Sequence, residues 1–216
     1  MSGIRRWVIF LALILAASAA GAQTTGIVNS KHNFSTWASG QQICVACHTP
    51  HNGGAGAGPL WNHASTTTTF TLYSSPTLTA GTGTLPGVTQ PVGASRACLS
   101  CHDGTVAIDS YGGNTGTTFI TTIGTPPGRA NLGTSLSDDH PVSFTYNGAL
   151  ATADGELVDP AALNSFGPGA TIQAKMLFND QLECASCHDV HNSFGHPSLL
   201  VKSNVGSALC LTCHIK

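Results

Sequence analysis

Cys184-Ala185-Ser186-Cys187-His188-Asp189-Val190-His191-Asn192 is the stretch on which the reading of this chain turns. Its first five residues set a pattern that occurs three more times. The other copies are Cys44-Val45-Ala46-Cys47-His48, Cys98-Leu99-Ser100-Cys101-His102 and Cys210-Leu211-Thr212-Cys213-His214. Together they use all 8 cysteines of the chain. At this content of Cys and His, chance would place about 0.01 such pentapeptides in the sequence, so the pattern is a built feature. Two thiols three positions apart lie on one face of a helical turn and reach the two vinyl groups on one porphyrin edge. The next residue then projects its imidazole over the ring to the iron. Cys-x-x-Cys-His is the attachment signature of c-type haem. Cys44, Cys47, Cys98, Cys101, Cys184, Cys187, Cys210 and Cys213 are therefore the expected attachment residues of four haem c groups. His48, His102, His188 and His214 are the expected proximal iron ligands.

Three other uses of paired cysteines fit less well. Zinc takes two Cys-x-x-Cys pairs per site but gives no reason for a His after each second Cys. Disulfides suit an exported chain and meet the same objection. A thioredoxin-like site needs a strand–helix–strand context that none of the four pairs has.

Six histidines remain: His32, His51, His63, His140, His191 and His196. Met176 is the only methionine besides Met1, so His/Met ligation is open to at most one iron, and imidazole on both faces is expected. The first and third motifs continue alike, as CVACHTPHN and CASCHDVHN, which sets His51 three residues after His48 and His191 three after His188. Residues at i and i+3 share one side of a helical turn. Axial ligands must approach an iron from opposite faces, so His51 and His191 would each serve a different haem from the one beside them. His32, in Ser30-Lys31-His32-Asn33, and His140, in Asp138-Asp139-His140-Pro141, have neighbouring polar groups that would orient their rings. The expected distal set is His32, His51, His140 and His191, with His63 as the alternative member and His196 ranked last.

Charged residues make up only 8% of the chain, with 8 basic against 10 acidic, so no Lys/Arg surplus exists to neutralise nucleic-acid phosphates. Met1 to Ala22 reads as an export signal. Arg5 and Arg6 form a positive start, Trp7 to Ala17 an apolar run, and Ala20-Gly21-Ala22 a small-residue cleavage site. The run is short for a membrane span, and residues 23–216 are expected to form one soluble tetrahaem cytochrome c domain. Haem c is attached outside the cytoplasm, which agrees with export.

The rest of the sequence is rich in Gly, Thr, Ser and Pro, and aromatic residues are only 6%. The expected fold is mostly irregular chain with short helices at the haem motifs and a few short strands, built around a stack of four haems. Val142–Tyr146 is the clearest strand. Pro160–Asn164, Ala170–Asn179 and Ser207–His214, the last started by Asn204, are expected helices. Ser65–Thr69 reads as extended surface chain. With roughly fifty residues for each haem, the porphyrins would serve as core and the polypeptide as wrapper, so the haem-free chain is not expected to fold.

The run through Lys31-His32-Asn33, CVACHTPHN, Pro59-Leu60-Trp61-Asn62, CLSCHDGTVA, DDHPVSF, CASCHDVHN and CLTCH resembles the doubled-CXXCH family of multihaem cytochromes. Within it, the resemblance is to the OmcE-type tetrahaem cytochromes, which polymerise into extracellular electron-conducting filaments. It implies a loop-built protomer, four bis-histidine haems in a continuous stack, and a distal histidine crossing to a haem of the next subunit. His51 or His32 would be that ligand. Residues 114–136 match nothing in the family pattern.

The expected function is electron transfer without catalysis, by a protein that polymerises with copies of itself and exchanges electrons with redox proteins or extracellular acceptors. The low charge density suits tight assembly. A monomeric periplasmic tetrahaem carrier is the alternative. A multihaem reductase ranks below both, because it needs an open iron position, and every motif here ends in His with six more histidines to spare.

Overall fold

A computed structural model describes residues 25–54, 58–124 and 126–216. The expected export signal lies outside the described residues. Among them, no helix is long and apolar enough to cross a membrane.

Most of the described chain is turns and irregular segments, as the Gly, Thr and Ser content implies. The described residues form five short α-helices: α1 (Gly93–His102), α2 (Gly148–Asp154), α3 (Ile172–Met176), α4 (Cys184–Cys187) and α5 (Cys210–Cys213). Two strands, β1 (Phe144–Thr145) and β2 (Gln181–Leu182), pair antiparallel with Phe144 opposite Leu182. β2 is set by a tight turn at Asn179 and Asp180, with φ of 52° and 59°, and with Phe178 and Gln181 exchanging both backbone hydrogen bonds at 3.0 Å. Asn and Asp tolerate this left-handed pair of torsions better than most residues. The hairpin delivers the chain directly into Glu183 and the third haem motif.

α2 has clear local causes. The Asn147 side chain accepts from Ala149 N and Leu150 N, and Gly155 ends the helix at φ 76°. Its inward residues Leu150 and Ala151 join Phe144, Tyr146, Ile172, Met176, Leu182 and Leu209 in the main apolar cluster. Burying a side chain such as Ile172 contributes about 1.5–3 kcal/mol. A second, smaller cluster joins Phe70, Leu99 and Leu136.

Several expected elements are shorter than the sequence suggests. Ser143, at φ 58°, interrupts the Val142–Tyr146 strand, so only Phe144–Thr145 pairs. Helix forms over Ile172–Met176 alone, because Asn179 turns the hairpin instead. Pro160–Asn164 is a series of turns, ended by Asn164 at φ 67°. Val205–Ser207 is a 3₁₀ turn ahead of α5, and Asn204 Oδ1 accepts from Leu209 N at 3.2 Å. Within Ser65–Thr69, Thr66 is fully buried, its N–H donating to Ser100 Oγ on α1.

Candidate haem-binding sites

Each Cys-x-x-Cys-His segment closes one helical turn. The N–H of His48, His188 and His214 donates to the carbonyl of Cys44, Cys184 and Cys210 at 2.8, 3.0 and 3.0 Å. The second motif forms the last turn of α1. Beyond the turn the chain becomes extended and takes a partner segment. Asn62, Val201 and Val158 donate to the carbonyls of Cys47, Cys187 and Cys213 at 2.9, 3.0 and 2.9 Å. One turn followed by one short antiparallel clasp is thus repeated at motifs one, three and four.

Backbone carbonyls also fix three of the four motif imidazoles. His48 Nδ1 lies 2.9 Å from Pro59 O, His188 Nδ1 2.9 Å from Ser198 O, and His102 Nδ1 2.7 Å from Ala130 O. A donor hydrogen at Nδ1 leaves Nε2 as the free lone pair, the tautomer a metal ligand needs. His140 Nδ1 is tied the same way to Pro141 O at 2.9 Å. Asp189 Oδ1 stands 3.6 Å from His191 Nδ1 and accepts from His191 N at 3.0 Å.

The structure brings three proximal–distal candidate pairs close together. His48 and His191 stack with ring centroids 6.3 Å apart and planes 12° from parallel. His32 and His102 lie 6.0 Å apart, and His140 and His214 6.2 Å apart. A metal between two imidazole nitrogens, at about 2.0–2.1 Å from each, puts the two ring centres about 6 Å apart. The spacing of all three pairs therefore fits one iron. The sequence separations are long, and the packing that closes them is specific. His32 is positioned by the link from Gly26 N to Asn192 O at 2.8 Å, which ties the N-terminal segment to the end of the third motif. Burial, with His102 and His188 adding, pushes His32 down to about 4. Burial, with His140 next, also lowers His214.

The remaining expected ligands stay apart. His188 has no facing imidazole among the described residues. His51 is exposed, its Nδ1 3.3 Å from Asn52 Nδ2, on the wall of an open cleft of ≈ 500 Å³ that Trp61 and His63 also line. His63 is buried, with Nδ1 2.7 Å from Ala64 O, Nε2 3.1 Å from Ala107 O and 3.4 Å from Cys101 Sγ. His196 is half-buried and its Nδ1 has no hydrogen-bond partner.

The thiols link one motif to the next. Burial, then the nearby Cys47, pushes Cys101 up to about 12; burial, then Cys44, pushes Cys47 up to about 11. Cys98 is hydrogen-bonded to Cys184, which raises Cys98 and draws Cys184 down to about 7. Cys187 is raised by burial and by Cys184 and Cys210, and Cys213 is pushed up to about 11 by burial and by Cys187. Motif one therefore adjoins two, two adjoins three, and three adjoins four. Most of these sulfurs sit where a charged thiolate is disfavoured and a neutral thioether is not. Among the described residues, no three His, Cys, Asp or Glu side chains converge on one metal position. Zinc would need four converging donors. The donor set fits haem c: neutral sulfurs at one edge, and imidazoles facing each other across a gap.

Residues 176–216 match the family described as the doubled CXXCH motif. The match covers the third and fourth motifs and supports a multihaem cytochrome c. Its CXXCH pentapeptides indicate covalently bound haem c and a role in electron transfer. No curated relative matches the chain.

One residue of the site escapes a motif-based reading. Glu183 lies directly before Cys184 and is 3% exposed. Its only sequence signal is a carboxylate at the mouth of a motif in a chain with few charges.

Proposed function

We infer that this protein is an exported, non-enzymatic tetrahaem electron carrier that assembles into an extracellular filament. One observation carries the reading: three imidazole pairs, drawn from separate parts of the chain, stand 6.0, 6.3 and 6.2 Å apart opposite Cys-x-x-Cys anchors. His48/His191, His102/His32 and His214/His140 would each hold an iron from both sides, and His188 would hold the fourth from one. Bound haem c supplies one-electron redox chemistry at each iron. The polypeptide supplies ligation, spacing and a low dielectric. The Nδ1–carbonyl bonds of His48, His102, His188 and His140 hold those four rings in the ligating tautomer, and imidazole on both faces favours a low reduction potential.

Filament assembly draws support from what is left over. Among the described residues no imidazole ring faces His188, while His51 is exposed beside an open cleft. His51 of one copy would complete His188 of the next, making ligation and polymerisation the same event. An iron at His188 completed by His51 of a neighbouring copy would leave no open position of the kind a reductase needs.

The test is intact mass, absorption and electron microscopy of the extracellular fraction. Four added haem masses, low-spin spectra and uniform filaments are expected. Haem-loaded dispersed particles would favour the monomeric periplasmic carrier. A purified chain without haem would sink the assignment. His51→Ala should abolish filaments and leave one haem in four high-spin while the other three stay low-spin.

A further inference from the structure

The junction between the second and third motifs is polar and closed to solvent. Ser95 and Ser143 are 0% exposed and Glu183 is 3% exposed. Glu183 Oε2 accepts from Ser143 Oγ at 3.0 Å and from Ser95 N, in the first turn of α1, at 3.3 Å. Ser95 Oγ in turn accepts from Cys184 N at 2.9 Å, and Ser186 Oγ from Glu183 N at 2.9 Å. One carboxylate thus caps the helix that carries Cys98, Cys101 and His102, and sits on the backbone that begins Cys184. Gly93 opens α1 at φ 48°, and a side chain added there would meet Glu183 Oε1 at 3.9 Å.

No Lys or Arg pairs with Glu183 among the described residues; Arg96 on the same helix turns away to Thr66 O at 2.6 Å. Every resolved contact of its Oε2 is a neutral donor. Neutral donors hold a carboxylate in place without cancelling its charge. In a dry interior a fixed charge acts over longer distances than in water. Its field reaches both flanking motifs: Glu183 is among the charges that raise the Cys98 thiol, after the Cys184 hydrogen bond and burial, and it opposes the lowering of Cys184.

We propose that Glu183 is the positioning residue of the second and third motifs. It locks their two helices together and holds the reduction potentials of their two haems down as an unpaired buried negative charge. Oxidised haem iron carries one more positive charge than reduced iron, so a nearby carboxylate favours the oxidised form. This inference rests on the four-haem reading above and adds an inequality among the four sites. The central pair lies lower than ligation alone would set it.

The experiment is spectroelectrochemical titration of the intact haem-loaded protein beside Glu183→Gln, with the four haems assigned by paramagnetic NMR. Gln keeps an acceptor for Ser95 N and Ser143 Oγ and removes the charge. Two of the four midpoints, those of motifs two and three, should rise, with about a tenfold change in the reduced-to-oxidised ratio at fixed potential, or 59 mV for one electron. The other two should stay. Asp180→Asn, which removes a carboxylate from the hairpin turn, should move none. Four unchanged midpoints in a fully loaded Glu183→Gln protein, or one uniform shift of all four, would overturn the proposal. If Glu183→Gln does not load four haems, Ser143→Ala decides. Loss of one donor weakens the hold on the ionised carboxylate, so the same two midpoints should move while the other two stay, and four unchanged midpoints or one uniform shift would count against Glu183. A wild-type chain carrying no haem is a separate result that refutes the four-haem reading itself.

Discussion

Residues 25–63 and residues 142–216 hold their shape by different means. In the later region Phe144, Tyr146, Leu150, Ile172, Met176 and Leu182 close a conventional apolar cluster, with α2 and the hairpin as its frame. In the earlier region the only buried apolar side chains among the described residues are Ala38 and Ala46. There the chain is held by hydrogen bonds of turns and by the clasp around His48. Two alanines bury too little surface to offset the ordering of that length of chain. The same haem motif thus sits in two settings: one where the polypeptide has its own core, and one where the ring must supply it. A haem-free chain is then expected to lose its parts unequally rather than all at once.

The largest effect should come from Cys44→Ala with Cys47→Ala. Amide hydrogen exchange should show residues 25–63 unprotected while the Ile172 and Leu182 amides stay protected. Equal loss in both regions would break the comparison. Next, His191→Ala joins the regions, because its ring faces His48 from the far end of the chain. One haem in four should become high-spin in the absorption spectrum, and it should be the first-motif haem.

Ile172→Ala strikes the other setting. Ile172 is 0% exposed, and its truncation should cost about 2–5 kcal/mol in denaturant unfolding of residues 142–216. Low-spin haem bands should survive in the absence of denaturant. Asn147→Ala, which removes the cap of α2, should cost about 1 kcal/mol in the same measurement.

The smallest effect is acidic. Burial pushes Asp189 up, but its hydrogen bonds with Ser193 and from His191 N outweigh that and hold it below its ordinary 3.8. A lowered carboxylate stabilises the fold above its unfolded value, and that contribution is lost as pH falls through 3.8 and below. NMR of the His191 ring should show its turn loosening only in that range, and Asp189→Asn should remove the dependence.

Much of the site was legible from short-range chemistry. The four Cys-x-x-Cys-His turns were, because each is closed by a bond between residues four apart. Asn147 and Gly155 bracket α2 in plain view as a cap and a left-handed stop. The Asn179-Asp180 turn is equally readable, although the helix expected over Ala170–Asn179 takes in its first residue. Glu183 was not legible, since its meaning depends on Ser95, Ser143 and Cys184 arriving around it.

The sequence by itself determined the haem c attachment motifs: eight cysteines and four following histidines in local turns, where covalent spacing and one backbone bond suffice. Only the tertiary structure decided that His191 lies beside His48, His32 beside His102 and His140 beside His214. Those pairings join residues far apart along the chain. The free energy that closes such loops comes from packing and buried hydrogen bonds distributed over many residues, and no local pattern encodes it.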